Sequence, residues 1–172
     1  QELSRFTSDS VLDDRTLREL YLTAFEIAVK EGKPSTVMCA YPKLNGVHCS
    51  DNKRLLTDIL RTECGFHGTV VTDWGAMNDR IEGFRAGCDL NMPGGSDYME
   101  KEVLQAVKDG TLPERCVDDS ARRVLALVFR AAETLKAPAS CDYEAHHALA
   151  KRAAAEGAVL LKNEGSLLPL AA

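Results

Sequence analysis

The sequence lacks a long hydrophobic run, an excess of positive charge and the pattern of a secretory signal at its start. In its 172 residues there is no run of about 18 apolar residues, which excludes a helix that crosses a membrane. The first ten residues, QELSRFTSDS, do not show the basic and then apolar order of a secretory signal, so we expect a cytoplasmic protein. Acidic residues outnumber basic ones by 26 to 21 and the two signs are interspersed, which disfavours nucleic acid and membranes as partners.

The cysteines form no C-x-x-C pair, and this absence disfavours a zinc ribbon, a redox dithiol and most metal sites. A chain of this length can build its core without disulfides, so we expect buried, reduced thiols in a reducing compartment. The four histidines do not lie at ligand spacing with a second donor. We therefore expect neither a metal nor another cofactor.

The sequence does contain an alternation of helical and strand patterns. Apolar residues recur at helical spacing over about residues 13–31, 52–64, 76–86, 98–109, 113–135 and 142–156. Short runs rich in strand formers lie at 36–41 (TVMCAY), 69–73 (TVVTD) and 88–92 (CDLNM). Continuously apolar strands separated by helices of about 10–15 residues are typical of a parallel sheet covered by helices. The predicted fold class is therefore α/β.

The number of strand–helix units indicates an incomplete barrel. About three units precede Pro138, whereas a complete (β/α) barrel has eight units in about 250 residues. After Pro138 the composition changes, and an alanine-rich helix leads to the apolar run AVLLK at residues 158–162. We interpret this tail as the beginning of a new unit.

The candidate chemistry lies where the predicted strands end, because the reactive groups of parallel α/β folds gather at the carboxyl ends of strands. Asp73 ends the second predicted strand and precedes a helix, so two interpretations stay open: a reactive carboxylate or a helix N-cap. Trp74 follows the acid, and Met38 and Tyr41 lie on the preceding strand. An acid beside an indole suits a sugar, whose apolar faces stack on aromatic rings while its hydroxyls need polar partners.

The longest informative stretch is VMCAYPKLNGVHCSDNKRLLTDILRTECGFHGTVVTDWGAMNDRIEGFRAGCDLNMPG, residues 37–94. It resembles glycoside hydrolase family 3, in particular the bacterial β-glucosidases. Upstream, QELSR is similar to the family's Asn-Asn-Gln-Glu stretch, and AAAEGAVLLKNEGSLLPL resembles the entry into its second domain. The resemblance implies that residues 1–137 are the C-terminal portion of a TIM-like (β/α) barrel domain. It implies that residues 138–172 are a linker helix and the first strands of an α/β sandwich domain.

The family's nucleophile is the acid of a Ser/Thr-Asp-Trp segment, so the resemblance implies that Asp73 is the nucleophile of a retaining β-glucosidase. By the same match, Arg5 and Tyr41 resemble contacts to the non-reducing sugar, Met38 lines that subsite and Trp74 forms one wall. A nucleophilic carboxylate must stay ionised, so we expect polar and cationic surroundings for Asp73, with a contribution from Arg5.

Other parts of the family's site fall outside this sequence. The Lys-His-Phe segment that holds sugar hydroxyls would precede Gln1, and the acid/base Glu would follow Ala172. We therefore expect the isolated chain to be inactive, and its open strand edges to be covered by the remainder of the enzyme or by another copy of the chain. Two alternatives remain: a catalytically silent fragment that only associates, and a metal- or phosphate-using barrel enzyme with Asp73, Asp89 and Asn91 as oxygen ligands.

Overall fold

The computed structural model describes residues 2–94, 97–136 and 140–170, and the chain divides into two units, one ending at Thr134 and the other beginning at Leu135. The boundary that the sequence predicts, between residues 137 and 138, lies outside the described residues. Within the described ranges, no helix is both long and apolar enough to cross a membrane.

Helices and strands follow one another largely as the sequence predicts. The first helix, α1, comprises Asp14–Thr16, a π-helical segment Leu17–Leu22 and Thr23–Lys30, and it begins where Asp13 accepts a hydrogen bond from the Thr16 N–H. The second, α2, is π-helical over Arg54–Glu63. The strands are β1 (Asp9–Ser10), β2 (Thr36–Cys39), β3 (Lys43–Leu44), β4 (Val47–His48) and β5 (Thr69–Thr72), and the further helices are α3 (Arg80–Ala86), α4 (Asp97–Lys108), α5 (Glu114–Thr134) and α6 (Tyr143–Gly157).

The central sheet consists of β2 and β5, which pair in parallel with Met38 opposite Val71 and Cys39 opposite Thr72. Side chains alternate between the two faces of a strand, so one face of this pair is directed towards the helices. That face and the helices α1 and α2 share one core, whose buried members include Val29, Cys39, Leu56, Leu60, Phe66, Val70 and Cys88. The opposite face carries Met38, which is 58% exposed.

A small second sheet flanks the segment that follows β2. Strand β1 pairs in parallel with β3, and β3 pairs in antiparallel with β4 across Asn45 and Gly46. Both turn residues have positive φ, 51° and 85°, the conformation that a two-residue hairpin turn needs and that Asn-Gly favours. Asn45 also fixes the preceding loop, since its Oδ1 accepts from the Leu12 N–H at 2.8 Å and its Nδ2 donates to the Leu12 carbonyl at 3.0 Å.

The predicted third strand, residues 88–92, is wrong as a strand. Its pairing with β5 is limited to one parallel bridge between Val71 and Leu90. Around this bridge the Asp89 and Leu90 N–H groups donate to the Val70 carbonyl at 2.9 and 3.0 Å. Side chains add to these backbone bonds, since Arg80 donates to the carbonyls of Cys88 and Asp89 at 3.1 and 2.8 Å. We call residues 88–92 the third segment.

The carboxylate of Asp89 is the main anchor of the third segment. Its side chain is 0% exposed and forms ion pairs with Arg61 of α2 at 2.7 Å and Arg123 of α5 at 2.8 Å. It also accepts hydrogen bonds from the Val70 N–H at 2.8 Å and the Ser120 hydroxyl at 3.0 Å. A buried charge is tolerated only when it is paired and hydrogen-bonded, and Asp89 meets both conditions.

In the second unit, α6 begins at Asp142, whose side chain accepts from the Ala145 N–H at 2.9 Å. The first strand that the resemblance implies for residues 138–172 is not formed in the described part of this unit, where the apolar run 158–162 is neither helix nor strand. A strand exists only through hydrogen bonds to a neighbouring strand, and the described residues 140–170 contain no other strand to pair with it. The assignment of this unit to a sandwich domain stays a prediction.

Candidate active site

Asp73 lies directly after β5, at the carboxyl end of the central sheet. Its backbone N–H donates to the Cys39 carbonyl at 3.3 Å, and its Oδ1 accepts from the Trp74 N–H at 2.6 Å. The side chain is half-buried. The N-cap interpretation of Asp73 is wrong, and so is the predicted start of the helix at residue 76, because α3 begins at Arg80 and Asp79 caps it by accepting from two backbone N–H groups. The Asp73 carboxylate is therefore not used as the cap of that helix.

Tyr41, two residues after the end of β2, meets the loop that carries Asp73. Its hydroxyl donates to the Trp74 carbonyl at 2.7 Å. The pKa of Tyr41 is raised, first by burial and then by the hydrogen bond and negative charge of the Asp73 carboxylate. The Tyr41 phenol therefore lies against the loop that carries Asp73. His48 supports Tyr41 from β4, with its Nδ1 at 3.3 Å from the Tyr41 carbonyl oxygen.

Arg5 reaches this site through the ring of Tyr41. The centre of its guanidinium lies 4.7 Å from the Tyr41 ring centroid and 5.3 Å from that of Phe6, and the two rings make an edge-to-face contact with centroids 4.6 Å apart. Its ion pair is with Glu2 at 2.7 Å. Cation–π geometry of this kind holds a guanidinium over an aromatic face. Arg5 thus stands beside the tyrosine that contacts Asp73, as a positive charge at the edge of the site.

Met38 and Trp74 present apolar surface around the carboxylate. Met38 is opposite Val71 in the register, and Val71 and Asp73 are two positions apart, so Met38 and Asp73 lie on the same side of the sheet. Trp74 is 65% exposed. Large exposed apolar side chains next to an ionisable group are typical of ligand-binding surfaces.

The structure adds Phe6, Thr72 and Met92 to the surroundings of Asp73, although only Met92 stands out in the sequence. Thr72 and Met92 are joined by a hydrogen bond of 2.8 Å from the Met92 N–H to the Thr72 hydroxyl. Phe6 packs on Tyr41. In the sequence, Phe6 is an aromatic residue next to Arg5, and Met92 lies at the end of a predicted strand. Neither position indicates which residue the side chain or backbone contacts.

The arrangement does not favour the metal interpretation. Asp89, one of the three proposed oxygen ligands, directs its carboxylate to Arg61 and Arg123 inside the core. The Asn91 Oδ1 faces the Thr72 hydroxyl at 3.5 Å. Within the described ranges, His, Cys, Asp and Glu side chains form no group of three that could hold a metal ion.

Comparison with known proteins identifies the family. The profile of the glycosyl hydrolase family 3 N terminal domain matches residues 7–127, more than half of the chain. The chain belongs to glycosyl hydrolase family 3. This membership and the matching structures confirm the predicted α/β class and the incomplete (β/α) barrel.

The family 3 relatives are much longer than this chain. It is 50% identical over 170 residues to the thermostable β-glucosidase B of Acetivibrio thermocellus, covering 99% of this chain and 22% of the relative. It is 40% identical over 171 residues to an exo-α-(1→6)-L-arabinopyranosidase of Bifidobacterium longum, with 99% and 22% covered. It superimposes on a family 3 β-glucosidase from Bifidobacterium adolescentis with a TM-score of 0.84 at 39% identity, covering 99% of this chain and 25% of that one. The chain thus spans about a fifth of the length of the curated relatives it matches.

Proposed function

We propose that this chain is the nucleophile-bearing part of a retaining β-glucosidase that hydrolyses terminal β-linked glucose or a similar pyranose. The observation that carries the proposal is the position of the Asp73 carboxylate, at the end of β5, beside the Tyr41 phenol and the exposed ring of Trp74. The names of its glycosidase relatives support the same reaction class.

In the proposed reaction, a carboxylate oxygen of Asp73 attacks the anomeric carbon, and the bond from that carbon to the leaving oxygen breaks. A second carboxyl group donates its proton to the leaving oxygen, and the sugar remains bound to Asp73 as an ester. The second group then takes a proton from water, which attacks the same carbon and releases Asp73 as a carboxylate. This second group is the acid/base Glu, which we place in the second domain, outside this sequence.

The groups around Asp73 fit a pyranose. Arg5 offers donors and the Tyr41 oxygen offers an acceptor to hydroxyl groups of the non-reducing sugar, while Met38 and Trp74 cover its apolar faces. The proposal needs no cofactor, since two carboxyl groups supply the proton transfer and the nucleophile.

We propose that the isolated chain is inactive and that further protein covers its open surfaces. Among the described strands, β2 pairs only with β5, so one edge of β2 is free. An apolar cavity of about 300 Å³ lies beside it, between β2 and the helices α1 and α2. On α5, Leu125, Val128 and Phe129 are each more than half exposed. The remainder of the enzyme is the cover that we propose, and a second copy of the chain is the alternative.

Two further assignments belong to this proposal. Residues 1–137 form the later part of the barrel domain, and residues 138–172 form a linker helix and the entry into an α/β sandwich domain. We place the enzyme in the cytoplasm, because all six cysteines are free, and this is typical of a reducing compartment.

The test is a chimera in which this chain replaces the matching segment of the Acetivibrio thermocellus β-glucosidase B, which supplies the rest of the enzyme. We expect the chimera to hydrolyse an aryl β-glucoside, and Asp73→Asn to lower kcat by about 10⁴-fold or more. The matched control is Asp58→Asn, an exposed aspartate paired with Lys53, which should leave kcat unchanged. A folded but inactive chimera, or an active Asp73→Asn variant, would contradict the proposal. Hydrolysis of the aryl β-glucoside by the isolated chain would contradict the proposal that this chain is inactive without the rest of the enzyme.

A further inference from the structure

The third segment is bonded to the chain on both sides of Asp73. Before Asp73, the Thr72 N–H donates to the Leu90 carbonyl at 2.9 Å, and the Thr72 hydroxyl accepts from the Met92 N–H at 2.8 Å. After Asp73, the Gly75 N–H donates to the Met92 carbonyl at 2.9 Å. Met92 is therefore held by both of its backbone polar groups, one on each side of the carboxylate.

The Thr72 hydroxyl takes the place of a missing ladder bond. The third segment pairs with β5 at a single bridge, Val71 with Leu90, so backbone pairing ends before Met92. Thr72 is 1% exposed, and its hydroxyl lies 3.5 Å from both the Asn91 Oδ1 and the Met92 carbonyl oxygen. Water cannot replace this group at a buried position without rearrangement, so the Thr72 side chain, together with the backbone bond from Gly75 to Met92, holds the two loops at a set distance.

This geometry limits how far the Asp73 loop can move. Asp73 is the residue directly after Thr72, and Gly75 closes the turn with φ of 81°, which glycine adopts without strain. On the far side, the Trp74 carbonyl is held by the Tyr41 hydroxyl at 2.7 Å. A displacement of about 1 Å at a reacting group can cost about 100-fold in rate.

We propose that Thr72 is a positioning residue for the reaction, because its hydroxyl clamps Met92 and thereby fixes the loop that carries the Asp73 carboxylate. The inference rests on the proposed function of Asp73. The alternative is a hydroxyl that only stabilises the fold and has no effect on the placement of the carboxylate.

Two variants separate these roles. Thr72→Val keeps the shape of the side chain and removes the hydroxyl, which leaves the Met92 N–H without its partner. Thr72→Ser keeps the hydroxyl and removes a methyl group. In the chimera, we expect Thr72→Val to lower kcat on an aryl β-glucoside by about 100-fold with KM changed little, and Thr72→Ser to stay within a few-fold of the parent. Equal kcat for Thr72→Val and the parent, even with a lower Tm, would overturn the inference.

A second readout uses the 172-residue chain itself and does not need activity. The Asp73 carboxylate contributes to the raised pKa of Tyr41, so displacement of the carboxylate should lower that pKa. We expect an NMR titration of Tyr41 to show this decrease in Thr72→Val and not in Thr72→Ser. A change in the titration together with an active Asp73→Asn chimera would refute the proposed function while supporting the positioning role. An unchanged titration in Thr72→Val would overturn the positioning role alone. If Thr72→Val does not fold, Thr72→Cys, a weak acceptor of similar volume, takes its place in both measurements.

Discussion

Replacing Asp89 by asparagine removes the charge that holds the third segment. The carboxylate is 0% exposed and accepts from Arg61, Arg123, Ser120 and the Val70 N–H at distances of 2.7 to 3.0 Å. Asparagine keeps the shape but not the charge, and its amide N–H₂ group points at donors. Two guanidinium groups, 13% and 24% exposed, are then left in the core without their counterion.

The magnitude follows from this burial. Removal of one partner from a buried ion pair costs about 3–5 kcal/mol, because the remaining charge stays desolvated. We therefore expect Asp89→Asn to lower the free energy of unfolding of the 172-residue chain by about 3–5 kcal/mol. Total stabilities of domains are about 5–15 kcal/mol, so loss of the cooperative transition would also agree with this expectation.

The assay is urea denaturation followed by circular dichroism, with Asp118→Asn as the matched control. Asp118 is 56% exposed and lies 3.8 Å from Arg122 on the surface of α5, so its substitution should cost about 1 kcal/mol or less. If Asp89→Asn and Asp118→Asn unfold at the same urea concentration with the same slope, the buried network does not anchor the third segment and the reasoning fails.

Two more outcomes can be measured in the same chain. Asp73→Asn should lower the pKa of Tyr41, because it removes a negative charge that disfavours the phenolate. The pKa of Tyr98, which is raised by Glu102, should stay unchanged and serves as the control. An NMR titration in which the pKa of Tyr41 also stays unchanged would contradict the proximity of Asp73 and Tyr41. Burial and, next, the charge of Asp51 raise the pKa of Cys49 to about 11, so at pH 8 this thiol should react with a disulfide reagent far more slowly than the exposed Cys141. Modification of both thiols at the same rate, located by mass spectrometry, would contradict the buried position of Cys49.

The helices and the central strands could be predicted because their signals are local. Helical spacing of apolar residues located α1 and α5 to within one or two residues, and short apolar runs located β2 and β5. The third segment was mistaken for a strand because its composition is also apolar, whereas its structure depends on Arg61, Arg80 and Arg123 from three separate helices. No local pattern shows such distant partners.

In the candidate site, too, local features could be predicted and distant contacts could not. The sequence pattern alone drew attention to Asp73 and Trp74 at a strand end and to Met38 and Tyr41 on the preceding strand, and the family resemblance added Arg5. The contacts that fix the site could not be predicted from the sequence, because the hydrogen bonds from Tyr41 to Trp74 and from Met92 to Thr72 join residues that are 33 and 20 positions apart. The helix start at Arg80 was also missed, since Asp79 and Asp73 are both reasonable N-caps by residue type.

A nucleophilic Asp73 forms a covalent bond with the sugar, and the site of that bond can be measured. The chimera is treated with an activated 2-deoxy-2-fluoro-β-glucoside, which slows the second step, and is then digested and examined by mass spectrometry. We expect one added fluorosugar on the peptide that contains Val71 and Trp74, and no label in Asp73→Asn. A label on any other peptide, with this one unmodified, would contradict the account.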